Sequence, residues 1–599
     1  MNKDAVVTQQ TTLQLLKLCI TAIGVFAASA QAADKPNVIF IMTDDLGYGD
    51  LGCTGNPVVK TPHIDRLAGE GVQLKNFHVH PFCSPTRAAL MTGLHPSRTG
   101  VSMTTSRKDI LRTDVPTMAD YFQASGYRTA LFGKWHIGDG CRYSPGYRGF
   151  EETLTVRGGG PGTVNDYWGN TKFNDTMLRN GKWVRYEGFT TDVLFTEAMR
   201  FIENRCQDVP FFIYLPAFAP HNPRFVPRQW TDTYSEVNGD LAAFAATVTR
   251  IDYNVGRLRD FLNTRGLSQN TMVIFTTDNG SSCDESVRVN DGGHRGRKGS
   301  PDEHGHRVPC FVHWPKGGLD TKREIPALTT HMDWLPTLIE LCQLKKPDIE
   351  GLPFDGLSMA SLLTDQQNSD DPKWAGRMYT LRNSKGRVIM KGRWRLINGK
   401  LCNLDDDPQQ RGNVAGKHPE LVRELEKHDR DVMASVSETP WKSNRPIYVG
   451  ETTDECLSFR RPSFYLQGHI LAGKRHNATW PVHFLHAGTY ELEFRRWARE
   501  VNKPLDAAIT VEPNEEVVFA GRPVYVNGGG GKGKALPIHA VKLEVGETVS
   551  VKEAEPGAAA IVMQITAKEG PATIKATFLD NDGISITTPY YSYIRRVVE

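Results

Sequence analysis

Short, continuous apolar runs recur along this 599-residue chain, and each is followed at once by polar or charged residues. Asn37–Thr43 (NVIFIMT) leads into Asp44 and Asp45, and 127–132 leads into Gly133-Lys134-Trp135-His136. Residues 210–215 (PFFIYL) lead to Ala219-Pro220-His221-Asn222-Pro223, and Thr271–Thr277 (TMVIFTT) leads into Asp278-Asn279-Gly280. Runs this short with no polar alternation predict strands buried on both faces. Between them, 115–124, 241–262 and 331–342 show helical periodicity. The alternation predicts an α/β fold with polar residues gathered at strand ends, where such sheets bind ligands.

The pattern changes twice. After a strand at 308–314, three short segments at 379–381, 388–391 and Trp394–Ile397 predict a small antiparallel sheet, closed by a helix over 419–434. From about Glu451 the chain turns to alternating strands with many glycines, including Gly528 to Gly531, which predicts a β-sandwich-like unit. The expected organisation is a leader at 1–33, a catalytic α/β unit at 34–370, an α+β subdomain at 371–450 and an all-β accessory unit at 451–599. That last unit either binds carbohydrate or packs on the catalytic unit.

The leader reading rests on Lys3 and Lys17, an apolar run over 16–28 and the small residues Ala30-Gln31-Ala32. This is the pattern of a cleaved signal peptide, too short for a bilayer span, so export to the periplasm or medium is expected without a stable membrane anchor. Charge is nearly balanced, 71 Lys and Arg against 68 Asp and Glu, with no basic cluster, which argues against a nucleic-acid partner. None of the 10 cysteines forms a C-x-x-C pair, so a cysteine-built metal site is not expected.

Paired carboxylates after one strand and an aspartate with an asparagine after another are oxygen donors for a hard cation, Ca²⁺ or Mg²⁺. A second stretch, CSPTRAALMTG from Cys83 to Gly93, reads as a loop that turns into a helix, with Pro85 in the first turn. Cys83 would then lie at a helix N-terminus suited to an anion, with Arg87 one turn along. Lys134 and His136, two apart, share a side if strand geometry continues, and the prolines around His221 stiffen its loop.

C-x-P-x-R followed by Leu90, Thr92 and Gly93 resembles the signature of the formylglycine-dependent sulfatases of the alkaline phosphatase superfamily, with Thr86 where the family often has serine. Asp44-Asp45, G-K-W-H, A-P-H-x-P and Asp278-Asn279 follow in family order over about 36–435. The resemblance implies an alkaline-phosphatase-like sandwich: a large mixed sheet flanked by helices, then a small C-terminal antiparallel sheet. It implies that Cys83 becomes 3-oxoalanine (formylglycine) through a formylglycine-generating enzyme. It further implies that Asp44, Asp45, Cys83, Asp278 and Asn279 hold calcium. Lys134 and Lys298 would bind sulfate, His136 would act as a base, His221 or Lys298 as the acid, and Arg87 would orient the modified residue. Lys298 lies in GRKGSPDEHGHRVP, where the match is looser and the roles of His294, Arg297 and His304 stay open. The expected activity is hydrolysis of sulfate esters, of an arylsulfatase-like kind, on a sulfated polysaccharide or oligosaccharide. The alternatives are a formylglycine-dependent phosphonate or phosphodiester hydrolase, and a glycan-binding protein that kept the fold without turnover.

Overall fold

The computed structural model describes residues 35–597 apart from 106–107, 207–208, 365–370, 439–445, 452–454, 457–465, 520–521 and 526–530. The apolar leader, and Gly528 to Gly530 of the glycine run, therefore lie outside the described residues. Among the described residues no helix is long and apolar enough to cross a membrane.

The predicted apolar runs are the middle of one mixed sheet. Its strands are β1 (Asn37–Thr43), β2 (Val72–His78), β3 (Arg128–Phe132), β4 (Glu152–Thr155), β5 (Thr176–Arg179), β6 (Lys182–Arg185), β7 (Phe211–Pro216), β8 (Thr271–Thr277), β9 (Cys310–His313) and β10 (Arg323–Thr330). They lie in the order β10-β2-β9-β8-β1-β7-β3-β4-β5-β6. β1 runs parallel to β7 and β8, and β3 runs parallel to β7, so four carboxyl ends open on the same edge. Alternate residues of β1 enter different layers. Ile39 and Ile41 pack with helices Thr190–Arg205 and Gly239–Thr264, while Val38, Phe40 and Met42 pack with helices Cys83–Thr92, Met118–Ala124 and Trp334–Leu341. Each such side chain taken from water is worth about 1.5–3 kcal/mol, which is why a run without polar alternation belongs here.

The second sheet, β11 (Met378–Asn383), β12 (Gly386–Lys391), β13 (Trp394–Ile397) and β14 (Lys400–Asn403), is an antiparallel meander. Helix Pro419–Glu438 covers it through Leu425, which packs on Ile389, Leu396 and Leu401. Beyond it, two antiparallel-dominated sheets of six and four strands enclose a separate core built on Trp480, Tyr490, Phe494 and Phe578. The architecture is thus the expected α/β sandwich with a small antiparallel sheet and an all-β unit.

A buried ionic network ties the first two sheets together. Glu303 is fully buried and receives Arg395 of β13 at 2.7 and 3.0 Å. Beside it, His78 and His306 meet Nδ1 to Nδ1 at 2.9 Å, so one of those nitrogens carries no proton. This gives the His/Glu-rich insertion near Lys298 a structural task. Burial lowers His306 to about 4 from 6.5, against the pull of Glu303. A depressed histidine stabilises the fold at neutral pH and loses that contribution as pH falls through 6.5 toward about 4, on the order of 3 kcal/mol. The melting temperature is expected to drop across that window, and His306→Gln should flatten part of the drop. An unaltered pH slope in His306→Gln would remove the network from acid sensitivity.

Candidate active site

The register of the sheet builds the site. β1 and β8 pair Thr43 with Thr277, so Asp44 and Asp278 leave the sheet side by side, and Asp45 donates its backbone N–H to Asp278 Oδ1 at 3.1 Å. β3 ends at Phe132, so the strand geometry expected through Lys134 and His136 does not continue. The chain turns at Gly133 (φ +133°), where a Cβ would stand 1.9 Å from the Pro216 carbonyl. The turn lets Lys134 donate its N–H to that carbonyl at 2.7 Å, and His136 takes a left-handed conformation at φ +59°. Both side chains still converge on Cys83.

The helix begins at Cys83, two residues before Pro85, and runs to Thr92 with all its residues buried. Pro85 occupies a first-turn position that needs no N–H partner. Thr86 Oγ1 donates to the Asp278 carbonyl at 2.7 Å, which explains why a hydroxyl suffices there. Arg87 does not turn back to Cys83. Its Nε and Nη2 grip Asp278 Oδ2 at 3.0 and 2.7 Å, and its Nη1 reaches the Lys134 carbonyl at 2.8 Å. The guanidinium thus locks helix, strand end and β3 loop together.

Cys83 Sγ lies 3.5 Å from His136 Nδ1, and His136 Nε2 lies 3.0 Å from the Thr104 carbonyl. Donation to that carbonyl keeps the proton on Nε2 and leaves the Nδ1 lone pair facing residue 83. Burial raises the Cys83 thiol despite Lys134 and Lys298, so as a plain cysteine it is a poor nucleophile.

Ligand atoms of Asp44, Cys83 and Asp278 lie within 4.8 Å of one another, and so do those of Asp44, Asp45 and His221. Lys134 Nζ sits 2.6 Å from Asp44 Oδ2, and Lys298 Nζ 2.5 Å from Asp45 Oδ1. Burial opposes ionisation of Asp45, yet Lys298, His221 and Lys134 outweigh it and hold the carboxyl far below its usual range. Burial and the neighbouring Asp44 push Asp278 up to about 6. Lys134 and Lys298 keep their charge, because Asp44 and Asp45 overcome the cost of burial. Burial, reinforced by the lysines and opposed by Asp45, pulls the His221 imidazole well down.

The donors fit a hard cation. Asp44 Oδ1 and Asn279 Oδ1 are buried and accept no hydrogen bond, while Asn279 Nδ2 is spent on Asp45 Oδ1 at 2.8 Å. Two unpartnered oxygens beside three carboxylates cost free energy unless a cation takes them.

All the predicted site residues therefore meet: Asp44, Asp45, Cys83, Arg87, Lys134, His136, His221, Asp278, Asn279 and Lys298. Three residues left open above turn elsewhere. Arg297 pairs with Asp284 at the surface, His294 meets Arg307 at 2.9 Å, and His304 is buried against Gly47.

Sequence reasoning missed Lys172. It is buried, holds φ +71° and donates from Nζ to the carbonyls of His221 and, at 2.8 Å, Pro223, and burial pulls its amine down to about 7. The left-handed conformation costs a non-glycine residue about 1–2 kcal/mol, and such strain gathers at functional sites. Its one trace in the sequence was the glycine-rich stretch before it, Arg157 to Gly162.

A family model described as Sulfatase matches residues 36–344, which include every residue of the site. The chain belongs to the sulfatase family. The mouse sulfatase named N-acetylgalactosamine-6-sulfatase is 32% identical over 403 residues, 62% of this chain and 74% of the relative. The Bacteroides thetaiotaomicron N-acetylgalactosamine-6-O-sulfatase is 29% identical over 496 residues, 66% of this chain and 93% of the relative. The solved structure of Ps i-CgsB in complex with k-i-k-neocarrahexaose superposes with TM-score 0.61 at 27% identity, covering 68% of this chain and 94% of that one. This sulfatase is a sulfuric ester hydrolase, and its family is generally formylglycine- and metal-dependent.

Proposed function

We propose that this sulfatase releases sulfate from a sulfated polysaccharide or oligosaccharide outside the cytoplasm. One observation carries the reading of the site. The buried Cys83, a histidine lone pair 3.5 Å away and an oxygen-rich donor set with two unpartnered oxygens meet at one helix N-terminus. The names of two relatives and the oligosaccharide bound to Ps i-CgsB support a sulfated carbohydrate.

Asp44, Asp45, Asp278, Asn279 and residue 83 would hold calcium, with magnesium the second choice, because flexible oxygen sets favour calcium. When bound, the ion supplies positive charge at the reacting oxygens. Formylglycine at position 83, made by a formylglycine-generating enzyme, supplies an aldehyde whose hydrate offers an oxygen nucleophile. The chain's own residues do the rest. Lys134 and Lys298 bind sulfate oxygens and hold the sulfur in line with residue 83. His136 Nδ1, with no proton of its own, takes one from the hydroxyl on residue 83. His221 or Lys298 delivers a proton to the departing alcohol oxygen; an anionic ester beside the lysines supplies the counter-charge that favours protonated His221. Arg87 holds Asp278 and the helix in place.

The proposed units are a leader at 1–33, removed on export, a catalytic unit at 34–370, a subdomain at 371–450 and an accessory unit at 451–599. Peptide mass spectrometry across Cys83 on protein from its native host, run with sulfate release from a panel of sulfated glycans, tests the reading. An aldehyde at position 83 with sulfate released is the expected result. An unmodified thiol with no release would sink it. Phosphonate and phosphodiester substrates in the same assay are expected to turn over more slowly than sulfate esters.

A further inference from the structure

The mainly β C-terminal unit meets the active-site side of the catalytic unit at two places, the first a buried amide that opens the short helix Gln467–Leu471. Gln467, fully buried, points Nε2 at the carbonyls of Thr163, Asp166 and Tyr167, each at 3.1 Å, and its Oε1 accepts the Gly169 N–H at 3.0 Å. Its backbone N–H donates to the Gly162 carbonyl at 3.2 Å, and Leu466 forms a β-bridge with Thr163. Side-chain and backbone bonds together fasten a loop with no strand of its own between Gly162 and Gly169. An amide with both ends satisfied and no exposure cannot be exchanged for water without leaving several carbonyls bare.

Thr163 of that loop, with Gly159 and Gly160 just before it, lines a small space shared with Asp44, Lys172, His221 and Leu466. Three residues past that loop, the side-chain nitrogen of Lys172 holds the His221 and Pro223 carbonyls. A second attachment holds the far side of the same region. Val226 and Val518 exchange backbone hydrogen bonds at 3.2 and 2.9 Å, and Asn514 Nδ2 donates to Thr171 Oγ1 at 3.0 Å. Phe225 and Phe173 pack there against Val517 and Val524. The β unit therefore grips both the loop before Lys172 and the chain just after His221.

We infer that the accessory unit is a working wall of the active site, with Gln467 a positioning residue that sets His221 through the 162–169 loop and Lys172. This rests on the reading of His221 as a proton donor to the leaving alcohol. Such a donor matters for an alkoxide leaving group and little for a nitrophenolate, which departs without a proton. A general loss of structure would slow both substrates alike.

The test compares wild type, Gln467→Met and Lys172→Met in the full-length chain, matched for modification at Cys83. Two substrates are used: 4-nitrophenyl sulfate and a sulfated sugar that the wild type hydrolyses. Gln467→Met is expected to lose roughly 10- to 100-fold in kcat on the sugar and less than about 3-fold on the aryl sulfate. Hydrogen exchange should quicken in 162–172 and 219–224. Lys172→Met keeps the β unit's contacts, so it should show the same split with faster exchange at 219–224 alone. Equal losses on both substrates, or wild-type kinetics with unchanged exchange, would overturn the inference. If Gln467→Met does not fold, Lys172→Met decides it by the same split. Exchange needs no turnover, so a chain that releases no sulfate would sink the sulfatase reading while the clamp is still measured.

Discussion

Cys83→Ala is expected to bring sulfate release to background, a loss on the order of 10⁴-fold or more, while the protein folds as before. The argument is local. The thiol is small, and its one resolved polar contact is with His136 Nδ1, so truncation removes little packing and should cost less than about 1 kcal/mol. Everything else in the site would remain: Lys134 on Asp44, Lys298 on Asp45 and Arg87 on Asp278. A variant that binds a sulfated substrate but releases nothing is the expected outcome. Retained turnover would mean that residue 83 carries no part of the nucleophile. The measurement is ion chromatography of released sulfate beside a thermal melt.

Asp278→Ala should damage both cation binding and stability, and the two effects can be separated. Asp278 Oδ2 takes two hydrogen bonds from a guanidinium with no solvent exposure, and removing it leaves a buried, unpaired charge. Breaking such a pair costs about 3–5 kcal/mol, or several degrees in melting temperature for a unit of this size. Loss of a carboxylate from the donor set should also weaken calcium binding, seen as a smaller rise in melting temperature on titration with calcium. Arg87→Met added to Asp278→Ala removes the orphaned charge. The double variant should recover part of the stability and none of the calcium response. If Asp278→Ala alone shows the wild-type calcium response, Asp278 is not a ligand.

Much of this was legible in the chain because the strands are buried on both faces. An unbroken run such as NVIFIMT cannot be a surface element, so its existence, its extent and the polar pair that follows it are written locally. β8 shows the same, Thr271–Thr277, with Asp278 and Asn279 next. The start of the Cys83 helix was less legible: Pro85 marks a first turn but not whether the helix opens at Cys83 or after it. The path after Phe132 depends on the Pro216 carbonyl beside Gly133, a neighbour in space that no local pattern names.

The sequence by itself determined the α/β class, the change to β structure beyond residue 450 and the types of residue at the site, because burial period and residue chemistry are properties of short stretches. Only the tertiary structure decided who holds whom. It turned Arg87 from Cys83 to Asp278, gave Glu303 and His306 to the seam between two sheets, and set Gln467 against Thr163 across 304 residues of chain. Those pairings rest on desolvation and hydrogen-bond geometry, which exist only once distant segments have excluded water between them.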